Sequence, residues 1–184
     1  MNNVVSINSK QDILNNLGDY GAANFTVEAK PMFYEAIYEG NSMPMDYIVP
    51  NKKALVRKDN NESVAVVSDS YQVAQHPDAF RTVERIISNS DLDLTGITRN
   101  IEASHNGARA YARYSFPSHQ IETSRGDSST LEILARNSFD GSWPTIFEGG
   151  AERWACLNKC VFGSVFAVSK QRHTKNINYE KGAL

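Results

Sequence analysis

The dipeptide Asn106-Gly107 is the feature that most constrains how this chain can fold. It lies between two alternating segments, TGITRNIEAS and ARAYARYSF. Asn-Gly is the preferred pair for the two-residue type I′ turn of a β-hairpin. With these residues as the loop, Ala103 pairs with Ala110. Because neighbouring residues of a strand point to opposite faces, one face of this hairpin is predicted to be core and the other to face solvent.

The two predicted faces of this hairpin differ in chemistry. The core face combines small and aromatic residues, and the small ones leave room for a helix, which we expect to be residues 77–90. The residues of this face are Ile101, Ala103, Ala110, Ala112, Tyr114 and Phe116. The outer face carries Arg109, Tyr111 and Arg113, with Asn100 and Glu102 on the opposite strand. Glu102 lies opposite Tyr111 and is expected to neutralise part of the arginines' charge.

Further patterns predict an α+β fold, with an antiparallel sheet built of hairpins or a meander and a few packed helices. Residues 52–58 and 63–67 flank the polar turn DNNE and predict a second hairpin. Residues 77–90 begin with Pro77 and carry an apolar stripe, which predicts an α-helix. Residues 9–18 have cap-like spacing at their start and a glycine at their end, which predicts a short helix.

The two ends of the chain give weaker patterns. Residues 25–38 alternate loosely around a proline and are predicted to be an edge strand or an extended arm, whereas residues 40–51 are predicted to be a loop. Residues 131–139 alternate before Asp140-Gly141, which predicts a further hairpin turn. We expect the Asn137 side chain to bond the backbone across this turn and Gly141 to have a positive φ. Two short strands, WPTIFE and ERWACL, are expected next, and the apolar run CVFGSVFAV is interpreted as a helix.

The chain is interpreted as a single domain of residues 1–184. Its parts are an N-terminal arm and helix (1–50), a core (51–170) and a basic tail (171–184). The net charge of −2 does not indicate a polycation made for nucleic acid. Residues 1–50 contain two lysines against six carboxylates, and residues 151–184 contain six lysines and arginines against two glutamates. The basic end suggests either an anionic partner or an ordinary solvated surface.

The sequence predicts a cytoplasmic protein. No stretch approaches the roughly 20 apolar residues that a membrane helix needs, and the N-terminus lacks the pattern of a signal peptide. The two cysteines, Cys156 and Cys160, make no disulfide framework, and two thiols cannot close a zinc site. We expect both to be reduced, with Cys156 buried beside Trp154, and we expect no cofactor and no bound metal.

The common catalytic signatures for phosphate loops, zinc proteases, serine hydrolases and dinucleotide binding do not occur in the sequence. The four histidines are scattered and are interpreted as ordinary polar residues. Several carboxylates, Glu132, Asp140, Glu148 and Glu152, leave open a metal-dependent nuclease, which would need them to converge on one ion. The presence of Asp140 is equally explained by the predicted Asp140-Gly141 turn. The chain is therefore interpreted more readily as a non-enzyme.

A binding site for single-stranded nucleic acid has a stronger pattern, because such sites combine cations along phosphates with aromatic rings that stack on bases. The predicted residues are Arg109, Tyr111, Arg113, Arg136, Trp143, Arg153, Trp154 and Lys159. The alternative is that the outer face of a sheet is simply polar and that the aromatic residues are half-buried core. The residues alone leave both interpretations open.

Residues 137–160 also carry a resemblance to a known family. The segments NSFDGSW, ERWACLNKCVFG and RHTKNI resemble the phage- and plasmid-associated domain of unknown function DUF932. The matching residues are Asn137, Ser138, Asp140, Gly141, Ser142, Arg153, Cys156 and Asn158, and Phe139 stands where the family motif has histidine. The upstream segment SYQVAQHPDAF is similar as well, so the resemblance covers roughly residues 50–178. It implies an association with mobile elements and no particular activity.

Three functions follow as hypotheses. The leading one is a phage or mobile-element protein that binds or anneals single-stranded nucleic acid without cleaving it, as a homo-oligomer. The second is a divalent-metal enzyme that acts on nucleic acid through Asp140, Glu148 and Glu152. The third is a structural or host-interaction protein that does not touch nucleic acid.

Overall fold

A computed structural model describes the backbone of residues 3–7, 19–37, 43–122, 128–154 and 161–174. Side chains are described for residues 19–37, 43–120, 128–151 and 168–174. Within these ranges the elements are β1 (Asn3–Ile7), a 3-10 helix (Gly21–Ala23), β2 (Val27–Ala36), β3 (Met45–Arg57), β4 (Ser63–Ser68), α1 (His76–Asn89), β5 (Ile97–Ser104), β6 (Arg109–Glu122), β7 (Ser128–Ser138), β8 (Thr145–Trp154) and β9 (Val161–Gln171).

The strands form two antiparallel sheets. The larger sheet has the order β1-β5-β6-β7-β8-β9, and the smaller one has the order β2-β3-β4. Because β5 to β9 follow one another both in sequence and in space, most of the large sheet is a meander. The predicted α+β class is consistent with this architecture, although the described residues contain one α-helix and one 3-10 helix rather than several packed helices.

The hairpin of β5 and β6 has the predicted register, with Ala103 opposite Ala110 and Ile101 opposite Ala112. Asn106 and Gly107 have φ values of 54° and 85°, which suits a type I′ turn. The amide of Ala108 donates to the carbonyl of His105 at 3.0 Å and closes the turn. The Asn-Gly signal therefore sets which side chains reach the core.

The main core lies between α1 and the inner face of the large sheet. Pro77 occupies the first turn of the helix, where its missing amide proton costs no hydrogen bond. The apolar stripe of α1 contributes Phe80, Val83 and Ile87, and all three are buried. They belong to one cluster with Ala110, Ala112, Tyr114 and Phe116 of β6. The predicted helix and its predicted partner face are both confirmed.

A second, smaller core joins the small sheet to the loop between β7 and β8. Its buried members are Phe25, Val27, Leu55, Val67 and Phe139. Phe139 is fully buried. The residues of the predicted N-terminal arm therefore take part in packing, and Tyr20 and Ala23 reach the main core.

The small sheet agrees with two predictions and contradicts a third. Strand β2 is an edge strand, as predicted from Pro31, and β3 and β4 form the predicted second hairpin. The loop predicted for residues 40–51 is wrong from Met45 onwards, where β3 begins. Pro50 is tolerated there because the pairing of β2 with β3 is irregular between Pro31 and Phe33.

The predicted helix in CVFGSVFAV is also wrong, because residues 161–171 form β9 and pair with β8. Periodicity does not separate a short apolar run in a strand from one in a helix. The valine and phenylalanine content of this run favours a strand, and β8 offers it an edge to pair with. The predicted helix at residues 9–18 lies outside the described residues, as do residues 175–184 of the basic tail.

No helix in the described part of the chain is long and apolar enough to cross a bilayer.

Candidate nucleic-acid interface

Four predicted site residues meet on the outer face of the large sheet. Tyr111 of β6 lies directly opposite Arg136 of β7. Arg109 and Arg113 are two positions before and after Tyr111 on the same strand, so their side chains leave the sheet on the same side. Glu102 of β5 lies opposite Tyr111 on its other flank, as predicted. We call Arg109, Tyr111, Arg113 and Arg136, together with Trp143, the arginine face.

Each arginine of this face forms an ion pair with a carboxylate on the neighbouring segment. The pairs are Arg109 Nε to Asp140 Oδ2 at 2.7 Å, Arg113 Nε to Glu132 Oε2 at 3.7 Å, and Arg136 Nη2 to Glu148 Oε2. In every case the carboxylate lies two positions away from the residue directly opposite the arginine, which is the diagonal contact of antiparallel strands. The three arginine side chains remain 29%, 30% and 32% exposed.

Tyr111 is half-buried at the centre of the arginine face. Burial and a hydrogen bond with Glu102 raise the pKa of its hydroxyl to about 12. The phenol is therefore neutral at physiological pH. It shares its face of the sheet with Arg109, Arg113 and Arg136, an arrangement that suits stacking against a flat ligand.

The loop from residue 139 to 144 places Trp143 at one end of the face, where the guanidinium of Arg109 lies 5.9 Å from the ring centroid. Asp140 accepts hydrogen bonds from the Ser142 amide at 2.9 Å and from Arg109. Burial acts to raise the pKa of Asp140, but the hydrogen bonds outweigh it and lower the pKa to about 2. Gly141 has a φ of 74°, which confirms the predicted turn. Asp140 thus shapes the loop and orients Arg109.

Asn137, the first residue of the motif, has a different role from the expected one. We expected its side chain to bond the backbone across the turn, and this prediction is wrong. Its Nδ2 donates to the carbonyl of Ala74 at 2.8 Å and lies 2.9 Å from His76 Nδ1. Its Oδ1 accepts from the hydroxyl of Thr145 at 2.7 Å. The amide is fully buried and joins α1 to β7 and β8.

His76 completes this buried network and is not placed for catalysis at the surface. Its Nδ1 faces the donor nitrogen of Asn137 and must accept, so the proton lies on Nε2, which donates to the carbonyl of Gly107 at 2.9 Å. Burial lowers the pKa of His76 to about 4. Its ring packs against Phe139 at 4.0 Å between centroids. The interpretation of His76 as an ordinary polar residue fits this geometry.

The side chains of the other predicted site residues lie outside the described residues. Arg153 and Trp154 lie in β8 and pair with Phe162 and Val161, but their side chains lie outside the described residues. Lys159 lies outside as well. The predictions for Cys156 and Cys160 also fall outside the described part of the chain.

Several of the carboxylates considered for a metal site form ion pairs with arginines of the arginine face. Asp140 and Glu148 each bond an arginine, and the side chain of Glu152 is not among those described. In the described ranges, no group of three or more histidine, cysteine, aspartate or glutamate residues is placed to hold a metal ion.

The sequence did not predict that each arginine of the arginine face pairs with a carboxylate. We expected Glu102 to offset charge, but Glu132, Asp140 and Glu148 do so more directly. The turn chemistry alone does not reveal these partners, because the pairing of β6 with β7 shifts between Phe116 and Gln120. Only the register beyond that shift places Glu132 diagonal to Arg113. No local sequence pattern predicts the shift.

The described residues form an α+β fold in which α1 packs on a large antiparallel meander with an arginine-rich outer face. The family model of DUF932, a domain of unknown function, matches residues 63–183. The match covers well over half of the chain and confirms the resemblance, so the chain belongs to the DUF932 family. Comparison with curated proteins gave no match, and comparison with solved structures gave none either.

Proposed function

We propose that this protein binds single-stranded nucleic acid on the arginine face, without cleaving it, as a homo-oligomer. We place it in the cytoplasm of a cell that carries a phage or another mobile element. The observation that carries the proposal is the cluster of Arg109, Arg113 and Arg136 around Tyr111. A stacking ring with cations on three sides matches what a base and its flanking phosphates require.

The ion pairs on this face set the expected mode of binding. Three arginines stand against four carboxylates, including Glu102, so these groups have no net positive charge. They therefore do not steer a polyanion over long range. Binding relies on short-range contacts, in which phosphates compete with carboxylates for guanidinium groups already held in position. We therefore expect a modest dependence on salt, not that of a polycation.

The stacking contact is tested by titrating the full chain into a fluorescent oligothymidylate and following anisotropy. Tyr111→Ala should weaken binding by roughly 1–3 kcal/mol, as for other single-strand stacking residues. Arg81→Ala is the matched control, because Arg81 lies on α1 in an exposed ion pair with Asp78. The control should bind like the parent chain.

The phosphate-binding role of the arginines is tested by repeating the titration over a series of salt concentrations. The double variant Arg109→Ala with Arg113→Ala should flatten the slope of log affinity against log salt by about one unit for each phosphate that an arginine no longer binds. Glu148→Gln should increase the affinity for the oligonucleotide, because it removes the carboxylate that competes with phosphate for Arg136. An increase in affinity with Glu148→Gln would be hard to explain if the face were only a solvated surface.

Three outcomes would count against this proposal. Metal-stimulated cleavage of the oligonucleotide, abolished by Asp140→Asn, would favour the enzyme. If the folded double arginine variant binds as tightly as the parent chain with the same salt slope, the arginine face is not the binding site. The absence of any binding at low salt would favour a structural or host-interaction protein.

A further inference from the structure

The small sheet extends into a two-stranded arm. Strand β4 pairs with β3 only from Lys52 to Val56, so residues 32–37 and 43–50 continue beyond it. Within the described ranges no third strand pairs with this part. An isolated two-stranded hairpin is marginally stable in water at best, because it has no layer to pack against. The arm therefore needs another surface to cover it.

Large apolar side chains on this arm are open to solvent. They are Phe33, Tyr34, Ile37, Met43, Met45 and Ile48, each at least half exposed. Phe33 pairs with Ile48 and Tyr34 with Tyr47, and these two pairs point to opposite faces. Both faces of the arm thus expose apolar groups. Six of the eight exposed large hydrophobic residues of the described chain lie here.

Only one face of the arm can enter a two-fold interface, because alternate residues point to opposite faces. Phe33, Ile37 and Ile48 share one face. At roughly 100 Å² for each of these side chains, two arms packed by this face would bury about 600 Å² of apolar surface. Since little more than half of such an interface is apolar, the total area is about 1,000 Å², the size of a weak, concentration-dependent dimer.

The charge on the arm changes from acidic at the tip to basic at the base. Glu35 lies directly opposite Asp46 towards the tip, on the same face as Phe33 and Ile48. Like charges directly opposite one another destabilise a strand pair.

At the base, a groove of about 460 Å³ beside Ile48 is lined by Lys30, Lys52, Lys53 and Asp69. Lys30 forms an ion pair with Glu28, and Lys53 donates to the carbonyls of Asp69 and Tyr71, whereas Lys52 is exposed and is the lysine we assign to the partner's tip. The tip is acidic, the middle apolar and the base lysine-rich.

We propose that the arm is the self-association surface of this protein and packs against the arm of a second copy in antiparallel fashion. A two-fold axis between the two copies of the Phe33–Ile48 pair places the acidic tip of each copy at the lysine-lined base of the other. The same patch then serves both partners, as a symmetric dimer requires. This inference deepens the oligomer of the proposed function and rests on that part of it alone.

Sedimentation velocity and light scattering of the full chain without nucleic acid test the inference. The parent chain should change from monomer to dimer as its concentration rises. Ile48→Glu should raise the dimer dissociation constant by about tenfold or more, since it places a charge at the centre of the interface. Val168→Glu is the matched control, because Val168 is 48% exposed on β9, and it should dimerise like the parent chain.

A charge exchange separates self-association from binding to some other protein. Glu35→Lys should weaken the dimer, although within one chain it converts the like-charged pair with Asp46 into a favourable one. Loss of the dimer in this variant cannot be attributed to a weaker arm. Adding Lys52→Glu to the same chain should restore the dimer, because base and tip then have opposite charges again.

A parent chain that stays monomeric at every concentration would overturn the inference, as would a dimer that survives both Ile48→Glu and Phe33→Ser. Neither residue belongs to the two cores, so thermal unfolding of the variants should match that of the parent chain. Oligonucleotide titration of the same variants is a separate measurement. Monomers that still bind would refute the interface alone, and dimers that do not bind would refute nucleic-acid binding alone.

Discussion

The carboxylate of Glu84 on α1 accepts a hydrogen bond of 2.6 Å from the guanidinium of Arg99 on β5, and both side chains are buried inside the main core. The hydroxyls of Tyr20 and Tyr114 donate to the same carboxylate at 3.1 Å and 3.0 Å. Arg99 also donates to the carbonyl of Asp19 at 2.9 Å. One ion pair therefore ties the helix, the N-terminal segment and two strands together.

Removing one partner of this pair should destabilise the protein strongly. Arg99→Met leaves the carboxylate of Glu84 buried without its cation, and such a change costs about 3–5 kcal/mol. Combining it with Glu84→Gln removes the charge but keeps an oxygen to accept from the tyrosines, so the double variant should be more stable than Arg99→Met alone. Chemical denaturation of the three variants gives the coupling energy.

The exposed pair of Arg81 with Asp78 provides the comparison for that measurement. Its side chains are 40% and 51% exposed, and exposed pairs contribute about 0–1 kcal/mol. Arg81→Met should therefore change the free energy of unfolding little. If Arg99→Met costs no more than Arg81→Met, the buried pair does not hold these elements together.

Protonation of His76 should oppose folding. Its pKa is about 4 in the folded protein and near 6.5 when unfolded, because burial disfavours the charged ring. A group whose folded pKa is lowered stabilises the fold above its unfolded pKa and loses that contribution as pH falls. The free energy of unfolding should thus decrease between pH 6.5 and 4, by about 1.4 kcal/mol per pH unit and about 3 kcal/mol in total.

Histidine ring resonances in NMR test this directly. His76 should stay neutral with its proton on Nε2 down to about pH 5, because its Nδ1 accepts from Asn137 and its Nε2 donates to Gly107. His105→Asn is the control for denaturation, since it removes a histidine that lies exposed in the β5–β6 turn, and the loss of stability between pH 6.5 and 4 should persist in this variant. Titration of His76 near pH 6.5 in the folded protein would contradict the buried network.

Local turn chemistry is the part of the fold that the sequence predicted best. Asn106-Gly107 dictates positive φ values, and with strict alternation it fixed the register of β5 and β6 and the buried face of Ala110 and Ala112. The strand β9 was missed because its partner edge is a tertiary feature. A short apolar run pairs with whatever edge is available, and the run itself does not encode that edge.

The candidate site was predicted less completely, for a related reason. Arg109, Tyr111 and Arg113 share a face because of the period of a single strand, which the sequence displays, whereas Arg136 joins them from β7. Their carboxylate partners come from other segments, and Asp140 comes from a loop. The roles of Asn137 and His76 depend on contacts across more than 60 positions of the chain, which no local pattern contains. Long-range polar networks are therefore the least predictable part of this fold.

Two glycines with positive φ allow the cost of strain to be separated from the cost of space. Gly141→Ala places a methyl group where nothing lies within 4 Å, at a φ of 74°. Gly107→Ala meets the same strain at 85°, and its methyl carbon would also lie 2.5 Å from Phe25 in the second core. Gly141→Ala should cost about 1 kcal/mol from backbone strain alone. Gly107→Ala should cost clearly more, because the ring of Phe25 must move. Denaturant unfolding of both variants measures the difference, and equal costs would show that Phe25 yields freely or that Gly141 is held more tightly than its open surroundings indicate.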